Sequence, residues 1–234
     1  MRQDTSSRDG ASRTVDVTLP VAWHQLDDRQ LLYAFDLMAA GVDFDELRAY
    51  CFFRWGKIPS DTRIPPLAIA EALSALDWMG LPPERPVRVS VIDGHQAVAA
   101  DFDGVPLEKF IVCDNLFQGY LQRRDDGFLR QMATVLYDAP DIRLTPGERF
   151  GVMMWFTSLK DWLSRRFTHF FRPAGAGESG GGSLRDSVDA MIRALTKGDV
   201  TKEREILSID TLRALTELNA QAREYEEMRR QLKK

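Results

Sequence analysis

A chain of 234 residues with 44% hydrophobic side chains holds enough apolar material for one large domain or two small ones, which excludes wholesale disorder. Its 31 basic and 35 acidic residues leave a net charge of -4, which argues against a dedicated nucleic-acid binder. Two cysteines and three histidines are too few for a disulfide framework or a multi-ligand zinc module.

In chain order, residues 1–14 carry no large apolar side chain after Met1 and are expected to be a disordered tail. They lack the apolar stretch of a secretory leader, and no later window approaches the ~18 uninterrupted apolar residues of a membrane span. Val15, Val17 and Leu19 alternate with polar residues up to Pro20, the pattern of a short edge strand. Helical signals then become regular. Asp27 with Gln30 reads as a capping box ahead of Leu31, Phe35 and Met38, and Gly41 supplies a stop. Asp43 with Glu46 repeats the start signal for Leu47, Tyr50, Cys51 and Arg54. The short link between these two segments predicts an antiparallel helical hairpin. A third helix is expected from Pro65-Pro66 through Ile69, Leu73, Leu76 and Trp78 to Gly80.

Residues 86–102 change period. Val87, Val89 and Val91 alternate with polar residues, Asp93-Gly94 suits a type I′ turn, and Gln96, Val98, Ala100 and Phe102 alternate on the return. A β-hairpin is predicted there, with the 15–19 segment as a third strand if it pairs. Helices resume after Pro106 through Phe110, Cys113, Phe117 and Leu121, and from Asp126 through Leu129, Met132 and Leu136. Thr145-Pro146-Gly147-Glu148 combines an N-cap, a first-turn proline and an N3 glutamate, opening a helix that carries Val152, Trp155, Phe156, Leu159, Leu163, Phe167 and Phe170 along one face.

Residues 173–183 hold five glycines in eleven positions and read as a flexible linker. Residues 184–234 form a separate C-terminal helical segment ending in a long charged helix that starts near Ser208. Its seam of Leu215, Leu218, Ala222, Tyr225 and Leu232 recurs at three- and four-residue steps and is interrupted by Arg229. The expected fold class is therefore mainly α: a helical bundle core over 15–172 with a small hairpin or three-stranded sheet, and a linker-tethered C-terminal segment. Because the linker sets that segment off, the preceding body is expected to fold without it.

No catalytic, cofactor-binding or metal-binding set emerges. His95 with Cys113 could form a cysteine–histidine nucleophile, but Asp93-Gly94 is explained by turn chemistry and Cys113 sits at helical spacing with Phe110 and Phe117. His24, His95 and His169 lie too far apart in sequence for metal-ligand spacing, and the acidic groups at 43–46 and 125–126 fall where helices need caps. The stretch 153–172 interleaves aromatic and basic residues. It could lie in a membrane interface or stack on single-stranded nucleic acid, yet a central core helix has the same pattern. Trp162, Phe170 and Phe171 are expected to form an apolar rim for a partner.

Four stretches, LPVAWHQLDDRQLLYAF, AYCFFRWG, DNLFQGYLQ and RALTKGDVTKEREILSIDTLRALTELNAQAREYEE, resemble an uncharacterised family encoded in phage and prophage-like regions of gut Bacteroidetes. The resemblance spans most of the chain beyond residue 15. It implies a virion-morphogenesis role, as a tail-assembly chaperone or structural adaptor, and carries no catalytic residues with it. The expected function is thus non-enzymatic, in the host cytoplasm or within a virion. Its expected partner is a protein, either another virion component or a second copy, with no specific nucleic acid and no membrane span. The residues expected to bind that partner are Leu215, Leu218, Ala222, Tyr225 and Leu232 together with Trp162, Phe170 and Phe171. The rivals are a small cysteine-dependent enzyme and a peripheral membrane or nucleic-acid binder using 153–172.

Overall fold

The computed structural model describes residues 17–58, 62–171 and 184–232. The tail over 1–14 and the linker over 173–183 lie outside the described residues. Helices dominate: α1 (Asp28–Ala39), α2 (Phe44–Trp55), α3 (Pro66–Ser74), α4 (Leu107–Arg123), α5 (Asp126–Leu136), α6 (Pro146–Arg166), α7 (Leu184–Thr196), α8 (Glu203–Leu207) and α9 (Thr211–Leu232). A two-stranded antiparallel hairpin of β1 (Val91–Ile92) and β2 (His95–Gln96) separates α3 from α4. The mainly helical class with a small hairpin is the one the hydrophobic periodicity predicts.

Side chains written into the sequence start these helices. The Gln30 amide donates to Asp27 Oδ1 at 2.8 Å while the Asp27 amide donates to Gln30 Oε1 at 3.1 Å, completing the first capping box. Thr145 and Glu148 exchange the same pair of bonds at the start of α6. Asp43 accepts from the Asp45 and Glu46 amides, and Asp125 accepts from the Gly127 amide. The acidic groups at 43–46 and 125–126 thus satisfy helix N-termini that would otherwise leave donors unpaired.

The core is built around α6, whose Trp155, Phe156, Leu159 and Leu163 are buried. α1 packs along it so closely that a Cβ on Gly147 would lie 2.0 Å from Asp36 Oδ1. Phe102 anchors the centre, with its ring edge-on to Phe110, Trp155 and Phe156 at 6.1, 6.3 and 6.4 Å between centroids. Its backbone sits at φ +65°, a conformation that costs roughly 1–2 kcal/mol for a side chain of this size. Full burial of a phenylalanine is worth about 1.5–3 kcal/mol and each aromatic pair about 0.5–1.5 more, so packing outweighs the strain.

Several local expectations change. Residues 17–19 form no strand, so the sheet has two strands among the described residues. That segment runs alongside the bundle instead, with the Pro20 carbonyl accepting from Trp78 Nε1 at 3.1 Å. In the hairpin, Val87 and Val89 face inward but Val91 is exposed and Ile92 buried. The phase shifts at Ser90, whose amide donates to the Asp28 carboxylate and is withdrawn from strand pairing. The third helix stops at Ser74, and a separate 3-10 turn covers Asp77–Gly80. α9 starts at Thr211, where the Asp210 carboxylate accepts from the Arg213 amide at 2.8 Å, and Ser208 is not its cap.

Candidate functional site

The two thiols are closed to chemistry by their surroundings. Cys51 and Cys113 are buried, and burial pushes each thiol up to about 12 from an ordinary value of 9.0. A thiol in that state supplies no nucleophilic thiolate near neutral pH. His95 stands exposed on the hairpin, whereas Cys113 on α4 is buried in the core, so the structure offers no accessible cysteine–histidine pair. Among the described residues, no group of three or more His, Cys, Asp and Glu side chains converges as a metal site would require. No helix among them is long and apolar enough to cross a membrane.

The aromatic and basic residues of α6 divide by face. Val152, Trp155, Phe156, Leu159 and Leu163 point into the core, and Trp155 Nε1 donates to the Ala100 carbonyl at 2.7 Å. This apolar face is spent on the protein's own interior. Trp162 is half-buried at the edge, with the Arg166 guanidinium 5.1 Å from its ring centroid. Phe170 and Phe171 are also half-buried, packed edge-on at 4.9 Å. Asn219 Oδ1 on α9 accepts from the amides of both His169 and Phe170, at 2.9 and 3.1 Å, so α9 lies against this rim. Glu226, two turns further on, stands 3.4 Å from His169 Nδ1.

The seam predicted for α9 is therefore divided between two environments. Leu215 and Leu218 are buried with Leu212 and Ala214 in the protein's own core, and Ala222 is half-buried. Tyr225 and Leu232 are 66% and 83% exposed. Met228, 59% exposed between them, completes a stripe at steps of three and four residues. Met228 is absent from the seam as drawn through Arg229, one position along. A step of three from Tyr225, followed by four to Leu232, was the signal that could have found it.

The root of α9 is stitched to the start of α4. The Leu107 amide donates to the Ile209 carbonyl and the Thr211 amide to the Val105 carbonyl, both at 2.8 Å. The Thr211 hydroxyl donates to the same Val105 carbonyl at 2.7 Å, and Pro106 pairs with Asp210 as an antiparallel bridge. Of the residues expected to bind a partner, the structure leaves Tyr225 and Leu232 free, holds Trp162, Phe170 and Phe171 partly covered, and places Leu215 and Leu218 inside. Comparison with protein-family models, curated proteins and solved structures returns no match to this chain.

Proposed function

We propose that the protein is a non-enzymatic assembly component acting through protein–protein contacts in the host cytoplasm, as a tail-assembly chaperone or structural adaptor in phage or prophage virion morphogenesis. The resemblance described above supplies the setting. One observation carries the contact role: α9 is anchored by its first turns, and its apolar stripe then continues as Tyr225, Met228 and Leu232 with no cover among the described residues. A helix held at one end and apolar along one outer stripe is suited to lie in a partner's groove or against another helix.

The test separates this stripe from the buried half of the seam. Tyr225→Asp with Leu232→Asp should leave the melting temperature unchanged, because both side chains are solvent-exposed. The same variant should lose the partner that the parent protein retains, read as co-purification from the native host and as sedimentation of the purified chain at increasing concentration. Unchanged retention and unchanged sedimentation would remove α9 as the contact element.

A further inference from the structure

A second surface lies on the body, where the turn after α3 meets the outer edge of α6. One end of it is an apolar groove whose floor is the buried Pro83 and whose walls are Trp78 and Pro82, with Leu81 65% exposed at the lip. The groove is rigidly braced. Trp23 Nε1 donates to the Leu81 carbonyl at 2.9 Å, and the Trp23 and Trp78 rings meet edge-on at 5.3 Å. Both indole N–H groups are satisfied within the protein, which leaves the ring faces for apolar contact. Two consecutive prolines fix the wall's backbone angles and offer no N–H of their own.

Glu84 and Arg85 line both this groove and the next cleft, so the two are continuous. The second cleft is basic, lined further by Trp162, Arg165 and Arg166. Arg165 ties its two walls together by donating to the Glu84 carbonyl at 3.2 Å, and it pairs with Asp161 at 2.8 Å. Arg166 is stacked over Trp162 and Phe167, and neither Arg166 nor Arg85 has an ion-pair partner among the described residues. A pre-built apolar slot thus opens directly onto two guanidinium groups without an ion-pair partner among the described residues.

We propose that this continuous surface binds an extended acidic peptide of a partner protein, with an apolar side chain against Trp78 and Pro82 and a carboxylate bridging Arg85 and Arg166. Charge complementarity selects the occupant, since guanidinium groups match carboxylates through paired N–H···O bonds. Little ordering entropy is lost on the protein's side, because the prolines and the Arg165 tie fix the walls before binding. A nucleic acid suits the surface less well. The basic cleft offers one ring for base stacking and two guanidinium groups free of ion pairs among the described residues, where a strand of phosphates and bases would need several of each.

Fluorescence anisotropy tests the assignment with three labelled probes on the full chain: a ten-residue peptide of glutamate and proline around a central leucine, its glutamine counterpart, and a single-stranded oligonucleotide of ten thymidines. The acidic peptide is expected to bind, and to bind at least tenfold more tightly than the other two. Arg85→Glu with Arg166→Glu should weaken it at least tenfold at an unchanged melting temperature, since both side chains are exposed. Leu81→Glu, at the apolar lip, should weaken it independently, whereas Tyr225→Asp with Leu232→Asp should bind it as the parent does. Equal binding of the glutamine peptide, tighter binding of the oligonucleotide, or indifference to the arginine substitutions would overturn the proposal.

Discussion

The Asp210 carboxylate bonds in two directions at once: Oδ2 accepts from the Gly104 amide at 2.6 Å, and Oδ1 accepts from the Arg213 amide at 2.8 Å. One side chain therefore caps α9 and fastens it to a turn 106 residues earlier in the chain. Asp210→Ala removes both bonds and should cost about 1–3 kcal/mol, of which the cap alone accounts for about 1. Chemical denaturation measures the loss, and Asp210→Asn, which keeps a capping acceptor, should fall between. A denaturation midpoint unmoved by Asp210→Ala would show that the carboxylate's two bonds add nothing to the leucines and the backbone strap that hold α9.

Gly147 lies in the first turn of α6, where alanine would ordinarily favour the helix by roughly 0.5–1 kcal/mol. Here the added Cβ would meet Asp36 Oδ1 at 2.0 Å and the Asp36 amide nitrogen at 2.9 Å. The Asp36 side chain can rotate away, but its backbone cannot without moving α1. Gly147→Ala is therefore expected to destabilise the protein by about 1–3 kcal/mol. A gain in melting temperature would mean that α1 does not pack on the α6 N-terminus as described.

Alkaline pH should act through the buried thiols. Both fold with pKa values of about 12 against 9.0 for an open cysteine, so the stability they contribute is fully present below pH 9 and is lost as pH rises towards 12. Each thiol contributes a slope of at most about 1.4 kcal/mol per pH unit. Burial raises the Tyr137 phenol as well, adding to the fall at the upper end. Replacing both cysteines by alanine should flatten the decline of melting temperature between pH 9 and 11. In the parent protein at pH 8, neither thiol should react with a small reagent until the chain unfolds. Fast native labelling of Cys113 would contradict its burial.

The Asp93-Gly94 turn has φ values of +50° and +80°, the paired left-handed angles that a type I′ hairpin requires. No atom lies within 4 Å of a Cβ built on Gly94, so a substitution there is opposed by backbone strain and not by crowding. Gly94→Val should cost roughly 1–3 kcal/mol, visible in the melting temperature. Gly94→Asn, whose side chain tolerates these angles better, should recover most of it.

Removing the C-terminal segment should do more than release an arm. The linker's composition predicts a body that folds alone, but Leu212, Leu215 and Leu218 are buried with the core. Each is worth about 1.5–3 kcal/mol of transfer free energy, against a typical total stability of about 5–15 kcal/mol. Truncation after Ser183 is expected to abolish a cooperative thermal transition or to lower its midpoint sharply. Leu215→Asp with Leu218→Asp should do the same, since two carboxylates would be forced into an apolar interior. A truncated body melting like the parent would restore the tethered-arm view.

Where a single residue type carried the physics, the sequence was a sufficient guide. Asp27 with Gln30 and Thr145 with Glu148 form the boxes their spacing predicts, and the α6 face from Val152 to Leu163 is the buried one. Asp93-Gly94 turns as its chemistry demands. Long-range partners were the part that spacing does not encode. Nothing near Ser90 announces that Asp28, 62 residues earlier, takes its amide and breaks the strand alternation. The α9 seam was visible as a seam, but its division into an inner and an outer half depends on where the body ends, which is a property of the packed bundle. The groove at Trp78, Pro82 and Pro83 joins the turn after α3 to the Val21–His24 segment far earlier in the chain, which spacing does not encode for the same reason. The Pro82-Pro83 pair was its only local mark.

The bonds joining Val105 and Leu107 to Thr211 and Ile209 also set a schedule. Synthesis at about 5–20 residues per second separates the two ends of this strap, 106 residues apart, by on the order of 5–20 s. Through that interval the Val105–Leu107 edge is made but unpaired, and the apolar surface that α9 will cover is open to water and to neighbouring chains. The body therefore stays incomplete until α9 is made, so the timing of α9, and not only its affinity, bears on how much protein escapes aggregation.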